Sequence, residues 1–233
     1  MGSTRLPGKV LHDLAGRAML DWVAERAKLA QLVNRVVVAT TVDRQDDAIV
    51  DYCRIRDVPC FRGSVNDVLD RYYQAAIAMQ ATTIIRLTAD CPLLDPQLLD
   101  TAVAEYQRLQ PNCDYLSIEW PKQTFPRGLD FEVLSFACLK RAWTEATETQ
   151  HREHVTAYIY QHADKFRIAG VECEQNLASE RWTVDTEEDL ALASLILGEL
   201  GGSSFGWQDV LRVLHAHPDW QDLNRHVRHR GAS

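Results

Sequence analysis

The sequence predicts an α/β protein built on an open, mostly parallel sheet, and three observations carry that expectation. Short apolar β-branched runs alternate with amphipathic stretches from Val33 onward. The run "RVVVATT" (35–41) is continuously apolar from Val36 to Val38 rather than alternating, as a strand covered on both faces requires. Three strand–helix units then follow one another, the pattern of parallel strands joined by right-handed crossovers.

Taken in order, "DRQDDAIVDYCRIR" after the first run has early carboxylates, with Ile49 and Cys53 four apart, and reads as a helix. "VPCFRGS" (58–64) reads as a second strand ending in a Gly-Ser turn. "DVLDRYYQAAIAM" places Val68, Tyr72, Ala75 and Met79 on one helical face. "TTIIRLTAD" (82–90) is a third strand, stopped at Cys91-Pro92. The next helix has Asp95 at its N-cap and Pro96 at its first position. In such sheets ligands sit beyond the carboxyl ends of the strands, which selects the loops 2–9, 62–67 and 88–92 as one side of the molecule. Past residue 110, "DYLSIEW" and "LDFEVLS" read as strands and "ACLKRAWTEAT" and "REHVTAYIYQH" as helices. A strand near 166–171 and the strand–Asp185–helix segment "RWTVDTEEDLALASLILGEL" follow, with carboxylates at the helix's positive end. "GGSSFG" (201–206) reads as a flexible joint before a short helix around 207–215.

Composition narrows the function. With 233 residues and 46% hydrophobic content the chain can bury a sizeable core, and a net charge of -8 argues against a general nucleic-acid binder. The basic stretch "RHVRHRG" at the C-terminus reads as a solvated tail. Six scattered cysteines without a CxxC pair fit reduced thiols and a cytoplasmic location. No signal peptide or membrane-length apolar run is expected to direct the chain into a bilayer.

Five groups of residues could carry chemistry. Gly2, Ser3, Thr4 and Arg5 with Lys9 combine small residues and cations, as a loop that closes on a triphosphate needs; a basic loop without function is the alternative. Asp90 in "TADCP" and Asp185 in "WTVDTEEDL" each end a strand pattern. Either is readable as a helix cap, and together as a site for one Mg²⁺, which takes one or two carboxylates plus phosphate oxygens. In "PRGLDFEV", Arg127, Asp130 and Glu132 follow a Pro-Gly loop, and the two carboxylates alternate with Leu129, Phe131 and Val133 on one strand face. His151 and His154 in "HREHV" stand three apart on a helix, without the spacing of a zinc hydrolase, and suit a polar face lining a substrate pocket.

Together and in this order, "MGSTRLPGKVL", "VVVATT", "FRGSVNDVLDRYY", "RLTADCPLLDP", "PRGLDFEV", "REHVTAYIY" and "TVDTEEDL" resemble the cytidylyltransferase-like family of spore-coat polysaccharide biosynthesis. That family is related to the acylneuraminate and 3-deoxy-manno-octulosonate cytidylyltransferases. The resemblance implies a Rossmann-like sheet of the nucleotide-diphospho-sugar transferase type over 1–200, with 201–233 a short C-terminal helix and basic tail. It implies transfer of CMP from CTP to an acidic sugar or another phosphorylated or carboxylated acceptor, with release of pyrophosphate. On this chain Gly2, Ser3, Arg5 and Lys9 would hold the triphosphate and Arg62 and Ser64 would lie near the nucleotide. Asp90 and Asp185 would bind Mg²⁺, and Arg127, Asp130, Glu132, Arg152, Glu153 and His154 would face the acceptor. A homodimer through 115–170 is expected, without nucleic acid or membrane partners.

The family pattern also has an apolar strand ending in Ala-Arg before the segment that matches Met1. The expectation is that the recorded start is an internal Met, with that strand encoded in frame upstream; loss of an inner strand is the alternative. Two other functions remain open from the sequence. One is a glycosyltransferase of similar architecture, against which stand "RLPGK" and the lack of a DxD pattern. The other is a non-catalytic relative.

Overall fold

The computed structural model describes residues 1–3 and 5–227; Thr4 of the first loop and most of the basic tail lie outside the described residues. The chain opens with a one-turn 3-10 helix (Lys9–Leu11), started by Gly8 at φ 70°, and a hairpin of β1 (Asp13–Leu14) and β2 (Arg17–Ala18) that leads into α1 (Met19–Leu29). β3 (Val38–Thr41) pairs in parallel with β4 (Cys60–Gly63) across α2 (Asp47–Ile55), as the strand–helix–strand pattern predicts. α3 (Val68–Ala78) then leads to β5 (Thr83–Leu87), and α4 (Pro96–Arg108) begins at the expected Asp95 cap, whose carboxylate accepts from the N–H groups of Gln97 and Leu98. β6 (Tyr115–Ser117), β7 (Phe131–Ser135) and β8 (Ile168–Gly170) complete a four-stranded sheet of order β5-β7-β6-β8.

The expectation of a mostly parallel sheet holds for β3–β4 and β6–β8 and is corrected at β7, which runs against both β5 and β6. Alternation along β7 sends Phe131 and Val133 into one apolar cluster and Leu134 into another, so both faces of the sheet are covered. The larger cluster takes in α1, α4, α8 (Glu187–Leu200) and α9 (Trp207–Ala216); the smaller takes in α3, α5 (Phe136–Glu145) and α7 (Ala157–Gln161). One edge each of β3 and β5 has no strand partner among the described residues. Beside β3 lies a cavity of about 530 Å³, bordered by Met1, Gly2, Val38, Thr40 and Asp46 and reaching Ala89 just past β5.

Several local expectations are corrected. The buried residues of α3 are Leu69, Tyr73, Ala75 and Ala76, so Ala75 is as expected, while Val68 and Tyr72 are only partly buried against the smaller cluster and Tyr72 turns its hydroxyl to donate to the Leu87 carbonyl at 3.1 Å. The helix read over 152–162 is two, α6 (Thr149–Glu153) and α7, broken where Val155 takes φ 31°. Residues before Asp185 form no strand; Arg181 makes a single bridge to Arg127. The segment 201–206 is no loose joint, because buried Arg26 donates to the carbonyls of Leu94, Ser203 and Phe205, and the Trp207 N–H donates to Asp95 at 2.7 Å. Val210 and Leu214 of α9 are fully buried in the larger core, so this helix packs with the body preceding it. The six cysteines are unpaired. No helix among the described residues is long and apolar enough to cross a membrane.

Candidate active site

Leu6, 3% exposed, anchors the first loop in the main core, and the turn at Gly8 aims Lys9 back across the sheet edge. On the far side, the Val184 N–H donates to the Asp90 carbonyl at 2.8 Å and the Thr183 hydroxyl to the same oxygen at 3.2 Å. Those two bonds lock the approach to α8 onto the turn after β5 and bring Asp185 beside Asp90. The Lys9 ammonium lies between them, 2.9 Å from Asp90 Oδ2, 2.9 Å from Asp185 Oδ1 and 2.9 Å from the Val184 carbonyl. Burial opposes the Lys9 charge, but Asp90 and then Asp185 outweigh it and hold the ammonium above its ordinary pKa.

Asp185 also meets Arg5 at 2.9 Å and Arg181 at 3.0 Å. Burial pushes its carboxyl up, yet Lys9, Arg181 and Arg5 bring it below the ordinary carboxylate range. Arg181 is itself clamped by Asp189, the third residue of α8 and partner of Thr186 in a capping box. Asp189 also accepts from the backbone N–H groups of Asp185 and Thr186, so the cap that starts the helix fixes the carboxylate before it.

The chemistry of this donor set fits a divalent cation: two carboxylates on different segments already share one cationic atom, and magnesium completes such a pair with water and phosphate oxygens. Among the described residues no group of three or more His, Cys, Asp or Glu offers an all-protein metal cage.

The other expected residues divide. Gly2 borders the cavity, while the Ser3 hydroxyl accepts from the Leu6 N–H at 3.3 Å and so shapes the loop. Arg62 donates to the carbonyls of Thr41 and Asp43, both at 2.8 Å, and pairs with Asp47 at 2.7 Å; the Ser64 hydroxyl accepts from Asp67 N–H. These two hold the loops after β3 and β4. Arg152 has its guanidinium on Asp67, at 2.6 and 2.8 Å, and on the Trp143 carbonyl, which ties α6 to the cap of α3. Glu153 and His154 are exposed, whereas His151 is buried with its Nε2 2.7 Å from Gln161 Oε1, so the two histidines do not meet.

Glu132 is buried on the face of β7 opposite Phe131, bonded twice by Arg86 at 2.8 and 3.0 Å and once by the Thr156 hydroxyl at 3.1 Å. Asp130 accepts from Gln123 and from the Gly128 N–H, at 2.8 and 2.9 Å. The sequence reading missed Glu119, whose carboxyl burial and then Asp130 and Glu132 push up to about 7, with Arg127 and Arg86 opposing. Burial likewise raises Asp130 to about 6 against the pull of Gly128 N–H and Arg127. Arg127, Asp130, Glu119 and Glu132 therefore feel one another's charge as a single polar cluster. The signal in the sequence was the alternation Ser117–Glu119, continuing the β6 face. Arg181 and Asp189 were also missed, although each stands four residues from Asp185.

A cationic first loop, two carboxylates gathered on one lysine at a sheet edge and a buried polar cluster define a nucleotide-handling α/β protein. The cytidylyltransferase family model matches residues 1–197. The spore coat polysaccharide biosynthesis protein SpsF of Bacillus subtilis is 31% identical, covering 94% of this chain and 92% of that one. A solved cytidylyltransferase from Leptospira borgpetersenii serovar Hardjo-bovis superposes with a TM-score of 0.92 at 31% identity, over 98% of this chain and 95% of the other. A CMP:2-keto-3-deoxy-manno-octonic acid synthetase complexed with CTP shares the fold, with a TM-score of 0.64 at 18% identity over 85% and 95% of the two chains. The chain belongs to the cytidylyltransferase family, and its class of activity is nucleotidyl transfer.

Proposed function

We propose that the protein is a Mg²⁺-dependent cytidylyltransferase that activates an acidic sugar, or another carboxylated or phosphorylated acceptor, for surface polysaccharide or glycoconjugate synthesis in the cytoplasm. The observation that carries this reading is the meeting of Asp90 and Asp185 on the Lys9 ammonium, with Arg5 alongside. An acceptor oxygen attacks the α-phosphorus of CTP, the α–β anhydride bond breaks and pyrophosphate leaves. Such transfer asks little covalent work of the protein, so positioning and charge neutralisation are what its side chains supply. Arg5 and Lys9 offset the charge that builds on the departing pyrophosphate. Asp90 and Asp185 would hold the magnesium ion, which when bound neutralises phosphate oxygens.

Arg127 is a cation that suits an acidic acceptor, with Asp130 and Glu119 beside it for the acceptor's hydroxyls, while Glu132, already held by Arg86 and Thr156, orders the cluster. The spore-coat relative supports the polysaccharide setting. A homodimer through 115–170 belongs to the same reading and is checked by sedimentation. The deciding assay is pyrophosphate release from CTP across a panel of acidic sugars and phosphorylated metabolites. Release with CTP well above UTP, ATP and GTP is expected; equal turnover with UTP contradicts the nucleotide choice.

A further inference from the structure

We propose that Lys9 is the metal site's own counter-ion in the nucleotide-free protein, so that a divalent cation enters only together with, or after, a triphosphate that draws the ammonium away. The inference rests on the reading of Asp90 and Asp185 as metal ligands. A lysine ammonium has three hydrogens to donate, and here all three are spent within the protein, on Asp90, Asp185 and the Val184 carbonyl. None is left for a phosphate oxygen, so contact with a triphosphate requires Lys9 to give up at least one of those bonds. The ammonium also lies where a cation shared by the two carboxylates belongs, with only 12% of its side chain exposed.

Charge points the same way. Among the described residues, Asp90, Asp185 and Asp189 face Lys9, Arg5 and Arg181, a set already balanced without a metal. Adding two positive charges to a half-buried, neutral cluster is unfavourable unless anions arrive with them. A triphosphate brings those anions and gives Lys9 and Arg5 a new partner. Lys9 can make the exchange by rotating its four-carbon stem, with no demand on the backbone. The device enforces an order: nucleotide first or together with the metal, and not metal alone.

The test is Mn²⁺ binding followed by electron paramagnetic resonance, without turnover. Wild type should bind Mn²⁺ weakly alone and tightly with CTP. Lys9→Met should bind Mn²⁺ alone on the order of tenfold more tightly than wild type, within the usual range of coupling between two binding events. Adding Asp90→Asn to Lys9→Met should remove that gain. If Lys9→Met fails to fold, Lys9→Gln drops the charge while keeping a donor and gives the same comparison. Wild type binding Mn²⁺ alone as tightly as the Lys9 variant overturns the inference and leaves the metal-site reading intact. Mn²⁺ binding with CTP that is indifferent to Asp90→Asn overturns the metal-site reading, and the inference with it.

Discussion

Arg181 and Asp189 form a two-bonded ion pair inside the protein, Nε to Oδ1 at 2.8 Å and Nη2 to Oδ2 at 2.7 Å, with the two side chains 5% and 0% exposed. Asn224 donates to the same Asp189 oxygen as Nε, at 2.9 Å. Through this pair the start of α8 holds Asp185 in place, since Arg181 reaches both carboxylates.

Removing the Asp189 charge takes from the buried Arg181 guanidinium its doubly bonded, fully buried partner and leaves it the half-buried Asp185. Asp189→Asn is expected to lower stability by about 3 kcal/mol. Urea denaturation measures it, and an unchanged midpoint contradicts the structural role given to the pair.

Glu119 and Asp130 predict a pH dependence of the opposite sign to that of Asp185 and Asp189. Their folded pKa values are raised, to about 7 and about 6, so between the ordinary carboxylate range and pH 7 the folded state binds more protons than the unfolded one. Stability from these groups is therefore greatest at low pH and is lost as pH rises through the folded values. Asp185 and Asp189 are lowered in the fold, and their contribution is lost as pH falls. Glu119→Gln isolates the first effect. Its Tm should match wild type near pH 4 and exceed it at pH 8 by several degrees or more. A difference independent of pH contradicts the assignment.

Among the described residues β3 and β5 each have one edge without a strand partner, beside a cavity bordered by Val38 and Thr40, and an extended apolar segment joined ahead of Met1 is expected to pair there. A five- or six-residue run ending in Ala-Arg should raise Tm by several degrees, at roughly 2–4 °C per kcal/mol gained. Scanning calorimetry of the two chains gives the answer. An unchanged or lower Tm contradicts pairing at that position.

The parts of this molecule readable in its sequence are those set by local chemistry. The Asp95–Pro96 helix start, the β3–α2–β4 unit and the acidic first turn of α8 follow from capping and periodicity, and the structure has each of them. What the sequence could not show depends on contacts between distant segments. The reversal of β7 is settled by its register with β5, Arg86 opposite Glu132, and by nothing within "LDFEVLS" itself. The break between α6 and α7 is a backbone event at Val155, a residue whose type gives no warning of a positive φ. Likewise, Arg152 looks like a pocket residue in "HREHV", yet Asp67, a helix cap far away in sequence, takes its charge. Asp90 and Asp185 were legible as a pair because each lay at the end of a strand pattern, and Lys9 as a cation of the first loop; its place between the two carboxylates was not.

If Asp90 and Asp185 hold one metal ion, steady-state turnover of CTP by Asp90→Asn, Asp185→Asn and the double variant at saturating Mg²⁺ tells a shared site from two independent carboxylates. Each single change should lower turnover by on the order of 100-fold, as loss of an electrostatic stabiliser does. The double variant should be little worse than either, because residues acting as a unit are not additive. Near-normal turnover in either single variant, or a double variant whose loss is the product of the two, contradicts the shared site.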